Sequence, residues 1–348
     1  MPADPREPRQ KAGPPGQAPD MQWPPERTVP DGRERRVGIE LEFAGVTARD
    51  AADLVAELFG GRVEECDPHR FVVRDTALGS FETELDSQYV HPEDKTVPGI
   101  TDSKAAQLAQ AVWERAADVM ADAARHWLPV EVVSPPMPLS DIPRFDGILR
   151  SLRERGAEGT RDSVVYAFAL QLNPEVARAD VAWITGVVRA YALLEDWLKL
   201  RIHPDPLRRV LRFAAPWPLE YKSLVLAPDY APDLATLIDD YARFNETRNR
   251  GLDLWPLFAH LDPGRVAARI DDPLIKPRPT FHYRLPDARL SDPGWSVITE
   301  WNDWVRVERL AADTARLEAL ADEWRRHAAA GGSGTDWART VCTRLEEA

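Results

Sequence analysis

The sequence of 348 residues is short of positive charge, cysteine and long apolar runs, and each shortage excludes a class of function. Its 44 Lys and Arg stand against 57 Asp and Glu, a formal net charge of −13. Non-specific nucleic-acid binding draws its affinity from positive charge, so no DNA or RNA partner is expected. Two cysteines, Cys66 and Cys342, lie far apart and match no metal-ligand or Cys-x-x-Cys spacing. A disulfide scaffold and a zinc finger are excluded, and the expected location is a reducing cytoplasm. No run approaches the roughly 20 apolar residues of a membrane span, and the opening MPADPREPRQ is too polar for a signal peptide. Also missing are GxxxxGK[ST], a strand-linked GxGxxG, HExxH and GxSxG, so neither a Walker-type nor a Rossmann site is expected. Gly331-Gly332-Ser333-Gly334 follows no strand signal, contains no lysine and reads as a linker.

What is present is the composition of a globular protein, 44% hydrophobic and 29% charged. Prolines crowd the first thirty residues among Gly, Gln and charge, so 1–33 reads as a disordered tail. A folded catalytic domain follows over 34–295, with a helical C-terminal segment over 296–348. Thr47 caps a helix carrying Ala51, Leu54, Val55 and Leu58, which Gly60-Gly61 stops. Residues 70–75 and 79–86 predict a hairpin, 101–127 a helix, 129–134 a strand, 140–152 a helix and 163–173 a strand. A helix from 174 through Leu198, an irregular proline-rich connection over 203–230, a helix over 231–245 and a strand over 279–285 come next. One long helix over 296–328 and a short final helix complete the chain.

Side chains i and i+2 share one face of a strand, so parity sorts each strand into two faces. In the first, Val37, Ile39, Leu41 and Phe43 oppose Glu40 and Glu42; in the second, Phe81 and Leu85 oppose Glu82, Glu84 and Asp86. Glu131 is a lone carboxylate in the apolar strand Val130–Ser134. Over 163–173, Tyr166, Phe168, Leu170 and Leu172 oppose small residues that lead to Gln171 and Asn173. In the last, Phe281, Tyr283 and Leu285 oppose Thr280, His282 and Arg284. The repeated pattern predicts an α+β fold, an antiparallel sheet with helices on one face and an active site on the other. Solvated carboxylates would explain any one strand. Clustered on neighbouring strands they repel, which favours an intervening cation; an oxygen-only donor set suits Mg²⁺ or Mn²⁺ shared with phosphates.

The order of these pieces resembles the amidoligase family of carboxylate-amine ligases, which is similar to glutamine synthetase and glutamate-cysteine ligase in its catalytic sheet. The resemblance rests on Val37-Gly-Ile-Glu-Leu-Glu-Phe43, Phe81-Glu-Thr-Glu-Leu-Asp-Ser87, Glu131-Val-Val-Ser-Pro-Pro136, Ala169-Leu-Gln-Leu-Asn-Pro174, Phe244-Asn-Glu-Thr-Arg-Asn-Arg-Gly-Leu-Asp253 and Thr280-Phe-His-Tyr-Arg-Leu-Pro286. It implies ATP- and Mg²⁺-dependent, ADP-forming amide or peptide bond formation through an acyl phosphate. By resemblance Glu40, Glu42, Glu82 and Glu131 serve the metal, Glu84 and Asp86 complete its shell or meet the amine, and Arg284 acts on the transferring phosphoryl group. Gln171, Asn173, Arg248 and His282 face the nucleotide, while Arg250 fixes a loop or is solvated.

The implied partners are small-molecule or peptide carboxylates and amines, with a glutamine amidotransferase as one source of ammonia. Relatives commonly place histidine where this chain has Gln171 and Asn173, and amides cannot shuttle a proton near neutral pH. Two alternatives therefore stand beside the ligase: a catalytically inactive nucleotide-binding scaffold of the same fold, and a metal-dependent or two-carboxylate hydrolase. The many tryptophans fall mostly at helical spacing and read as core or interface. The 296–328 helix is expected either to cover the sheet or to form a homodimer.

Overall fold

The computed structural model describes residues 19–85, 129–159, 168–202 and 215–346. The helix expected over 101–127, and Asp86, lie outside these residues. Strand β1 (Arg36–Phe43) is built as its alternation requires: Val37, Ile39, Leu41 and Phe43 are fully buried. Thr47 caps α1 (Ala48–Phe59), accepting the Asp50 N–H at 3.1 Å, and Gly60 ends it with φ 76°, a conformation that favours glycine. The remaining strands are β2 (Arg62–Asp67), β3 (Arg70–Thr76), β4 (Gly79–Leu85), β5 (Val130–Val133), β6 (Met137–Pro138), β7 (Leu170–Pro174), β8 (Leu252–Asp253) and β9 (His282–Tyr283). They form one open antiparallel sheet in the order β2-β3-β4-β5-β1-β7-β9-β8, with β6 paired to β1.

Helices α2 (Ile142–Asp146) and α3 (Ile148–Glu154) lie between β6 and β7, then α4 (Val181–Ile202), α5 (Leu219–Val225) and α6 (Leu234–Phe244). Helices α7 (Trp255–Leu261) and α8 (Pro263–Ala267) join β8 to β9, and α9 (Val297–Ala312), α10 (Thr314–Ala329) and α11 (Gly334–Glu346) follow. The apolar face of the sheet receives α1, whose Phe59 stacks on Phe81 of β4 at 5.5 Å. At the other end Trp304 of α9 packs on Phe281 and Tyr283, at 5.4 and 5.5 Å between ring centroids. Helix α4 is apolar nearly all round and packs against α9, α10 and α11. Buried side chains from Val37 to Val341 form one hydrophobic cluster, shared by the helices beyond residue 296. No described helix is long and apolar enough to cross a membrane.

Several expectations change. The helix over 296–328 breaks at Asp313, whose carboxylate accepts the Arg316 N–H at 3.1 Å and caps α10. The helix expected from 174 begins only at Val181, because Pro174 and the residues after it run back along β1 and residues 279–280. The strand over 279–285 shrinks to His282–Tyr283 flanked by single bridges at Thr280 and Asp287. Strand β2 has no parity signal, since Val63 is its only aliphatic residue, yet it pairs with β3 along its length.

Residues 19–33, expected within a disordered tail, instead pack on the fold, with 20–23 along α9 and Glu26 and Arg33 against Arg35, Glu175 and Arg178. Gln22 N–H donates to Asn302 Oδ1 at 2.7 Å, Trp301 Nε1 donates to the Gln22 carbonyl, and Arg309 donates to the Trp23 carbonyl. Met21 and Trp23 supply the apolar contacts that the polar composition hid. One buried ion pair ties this strap to the sheet and to α9. Arg35 reaches both Glu308 oxygens at 2.7 Å, donates to the carbonyls of Glu26 and Glu175, and is fully buried, as is Glu308. Removing one member of such a pair strands a buried charge and costs about 3–5 kcal/mol. Arg35→Met and Glu308→Leu are each expected to lose that much in urea unfolding, and the double substitution to lose clearly less than the two losses added. Strict additivity would show that the pair is not an energetic unit.

Candidate active site

The open face of the sheet carries two rows of side chains, roughly 7 Å apart along the strands. In the first row Glu84 of β4, Glu131 of β5 and Glu42 of β1 stand directly opposite one another. In the second, Glu82 pairs with Val133, Val133 with Glu40, and Glu40 with Gln171 of β7. Like charges in direct cross-strand register oppose pairing, so the apolar face must impose this arrangement. Glu42 is nearly buried; its Oε2 accepts the Ala169 N–H at 2.8 Å, and its own N–H donates to the Ala169 carbonyl. Glu40 Oε1 accepts from Asn173 Nδ2 at 2.9 Å and from Arg278 Nη1 at 3.3 Å. Glu82 is exposed and separated from Glu40 by Val133. Among the described residues no three His, Cys, Asp or Glu side chains gather closely enough to hold a metal ion.

Beyond Glu40 the face turns basic. The Leu172–Tyr283 register sets His282 and Arg284 on the same side as Gln171 and Asn173, and the β8 pairing sets Asp253 opposite His282. His282 is buried and its Nε2–H donates to Gln171 Oε1 at 2.8 Å, while Nδ1 lies 3.8 Å from Asp253 Oδ2. Burial, then the guanidiniums of Arg284, Arg278 and Arg248, hold its pKa well below the ordinary imidazole value, so His282 is neutral. The charges of three arginines thus bear on one imidazole. Arg248 lies 3.8 Å from Asp272, and burial followed by the charge of Arg284 pulls its pKa down.

Asp253 is fully buried with Oδ1 accepting the Trp255 N–H at 3.0 Å. Burial pushes its carboxyl up to about 6, against the opposing pull of Arg284, the Trp255 N–H and Arg248. The preceding Gly251 is required by space, because a Cβ there would meet the Tyr191 hydroxyl at 2.4 Å. Arg250 donates to the carbonyls of Pro216 at 2.6 Å and Phe244 at 3.0 Å, the loop-fixing role that the sequence suggests.

A family model described as "Putative amidoligase enzyme" matches residues 33–306, from just before β1 to the middle of α9. The chain belongs to the amidoligase family. A search of curated proteins returned no match. In this amidoligase-family sheet, Glu40, Glu42, Glu82, Glu84, Glu131, Gln171, Asn173, His282 and Arg284 share one face, and Arg248 adjoins it. Asp86 falls outside the described residues.

Sequence reading missed Asp253, Arg278 and Asp272. Asp253 stands in a two-residue strand too short for parity, although it closes the quoted Phe244–Asp253 segment. Arg278 and Asp272 stand in a proline-rich loop with no periodicity. The buried Asp253 supplies a pH test for this amidoligase-family fold. With its pKa raised on folding, the native state binds more protons than the unfolded chain between about pH 4 and about 6. Its contribution is therefore favourable below that window and is lost as pH rises through it. Measured by urea unfolding, the parent is expected to lose about 2 kcal/mol relative to Asp253→Asn across the window. Parallel stability profiles would contradict the assignment.

Proposed function

We propose that this protein is an ATP- and Mg²⁺-dependent, ADP-forming carboxylate-amine ligase with a glutamine-synthetase-like catalytic sheet. The observation that carries the reading is the pairing of two opposite half-sites on one sheet face. The first is the Glu84–Glu131–Glu42 row with Glu40 beside it; the second is the arginine group around His282. A nucleotide triphosphate and a carboxylate substrate are both anions, and transfer of the γ-phosphoryl group between them needs cations of both kinds.

The donor chemistry of the first half-site suits a hard cation, because Glu40, Glu42, Glu84 and Glu131 offer oxygen alone; no three of them stand close enough to ligate one ion, so one or two carboxylates would share it with phosphate oxygens and water, as Mg²⁺ binding usually does. Magnesium or manganese held there would neutralise phosphate charge and orient the triphosphate. In this reading Arg284 and Arg248 bind the phosphoryl oxygens, and Arg284 offsets charge that builds during transfer. Gln171 and Asn173 hold substrate or nucleotide by hydrogen bonds, each already oriented by a partner, His282 for one and Glu40 for the other. Glu84, half-buried at the end of the acidic row, receives the incoming ammonium and takes its proton as it attacks the acyl phosphate. Atoms balance: the carboxylate oxygen takes the phosphoryl group, the amine displaces phosphate, and ADP, phosphate and amide leave. The substrates in this reading are small-molecule or peptide carboxylates and amines.

A second reading, a nucleotide-binding scaffold without turnover, is favoured by one observation. Strand β7 offers only amides to the open face, and the nearby His282 is held neutral and engaged with Gln171. ADP release across panels of acids and amines separates the two. The ligase reading predicts release that requires acid, amine and divalent cation together, reduced on the order of 100-fold in Glu40→Ala/Glu42→Ala. Tight nucleotide binding with no release for any pair supports the scaffold. Unchanged Mg²⁺-ATP affinity in the double variant would remove Glu40 and Glu42 from the site.

A further inference from the structure

The loop Asp271-Asp272-Pro273-Leu274-Ile275-Lys276-Pro277-Arg278-Pro279 leads into β9, and no motif or resemblance assigns it a role. It touches both half-sites. Asp272 faces Arg248 in the basic half, and Arg278 reaches Glu40 in the acidic half. The backbone around Arg278 is pinned. Its N–H donates to the Pro256 carbonyl at 3.0 Å, the Pro279 carbonyl accepts from Val176 N–H at 2.9 Å, and prolines on both sides fix φ. Asp272 closes a turn of its own, accepting the Leu274 N–H at 2.9 Å. The loop is therefore a fixed mount, and what is free to change is the direction of the Arg278 side chain.

That side chain is exposed enough to move. It is 44% exposed, against 14% for the side chain of Glu40, which it contacts at 3.3 Å. Glu40 is already served by Asn173 at 2.9 Å, so the arginine adds charge neutralisation more than it completes a hydrogen-bond set. An ion pair with so exposed an arginine contributes little net free energy, a cost that a bound anion readily meets. Arg278 also stands with Arg284 and Arg248 in the group whose charge bears on His282. A guanidinium with five coplanar N–H donors and a pinned backbone, within the field of two further arginines, is suited to bidentate recognition of phosphate or carboxylate.

We propose that Arg278 is a third anion-contacting residue of this site, which the unliganded protein holds on Glu40 and which changes partner when an anion arrives. The proposal rests on the reading of the open face as a phosphate- and cation-binding site. Its consequence is a built-in linkage. An anion that takes Arg278 releases Glu40 for a cation, and a cation on Glu40 releases Arg278 for the anion, so each ligand favours the other.

The test is a double-mutant cycle in the full chain, read as the affinity for inorganic phosphate in metal-free buffer containing chelator, by calorimetry. Glu40→Gln frees Arg278 and is expected to tighten phosphate binding about two- to fivefold. Arg278→Ala is expected to weaken it, with Arg278→Lys intermediate because charge without the planar fork recovers part of the contact. In the Arg278→Ala background Glu40→Gln is expected to have no effect. If Glu40→Gln tightens binding equally in both backgrounds, loss of a negative charge explains the gain and the partner exchange is overturned. If Arg278→Ala leaves phosphate affinity unchanged, the contact itself is overturned while the ligase reading stands. Absence of both phosphate and nucleotide binding in the parent would overturn the two together. Unchanged thermal midpoints for the three variants verify that folding is not the cause.

Discussion

Everything in this structure depends on burying one face of β1. Val37, Ile39, Leu41 and Phe43 are fully buried beneath the helices, and period-two geometry then leaves Glu40 and Glu42 no choice of side. A shift of one residue would drive both carboxylates into the core, at a cost far above the repulsion they suffer where they are. The antiparallel register passes this constraint outward. Glu131 and Glu84 must align with Glu42, and Gln171 must align with Glu40, because Val130, Val132, Phe81, Leu170 and Leu172 are equally committed to the core. The unfavourable acidic row is stabilised from behind, by apolar burial that does not touch it.

The basic half is positioned by a different means. Short strands β8 and β9 contribute only two residues each, and the sheet there is held by side chains on the helix layer as much as by ladder bonds. Tyr283 is clamped between Tyr191 and Trp304, and Gly251 admits the Tyr191 hydroxyl. Helix α9 is fixed in turn by the Arg35–Glu308 pair, which also secures the strap that precedes β1. A buried bidentate pair is a weak source of net stability but a strong penalty on alternative arrangements, a role suited to a helix that must hold Trp304 against the last strands.

Strands with alternating residues were legible in the sequence, because burial on one face writes a period-two pattern: β1, β4 and β5 follow it, while β3, which buries Phe71, Val72 and Val73 in succession, was legible only as the hairpin partner of β4. The polar face of the site could be read for the same reason, down to Gln171 and Asn173. What could not be read came from long-range pairing. Arg278 meets Glu40 across 238 positions of sequence, from a loop whose prolines speak only of local backbone. Asp253 owes its role to complete burial between His282 and the Trp255 N–H, which a Leu-Asp dipeptide does not disclose. The break at Asp313 was hidden because aspartate is unremarkable in a charged helix until its side chain caps the next one. The ordered strap over 19–33 was hidden by proline content, since Met21 and Trp23 are only two apolar anchors in a polar stretch.

The central claim is that one sheet face joins a carboxylate row and an arginine group into a single ligand site. Its most direct test is a crystal structure of the protein with Mg²⁺ and a non-hydrolysable ATP analogue. The account predicts the triphosphate lying across β1 and β7, with the cation against Glu40, Glu42 or Glu131 and the phosphate oxygens against Arg248 and Arg284. A nucleotide bound elsewhere on the molecule, with these side chains in their unliganded positions, would contradict it.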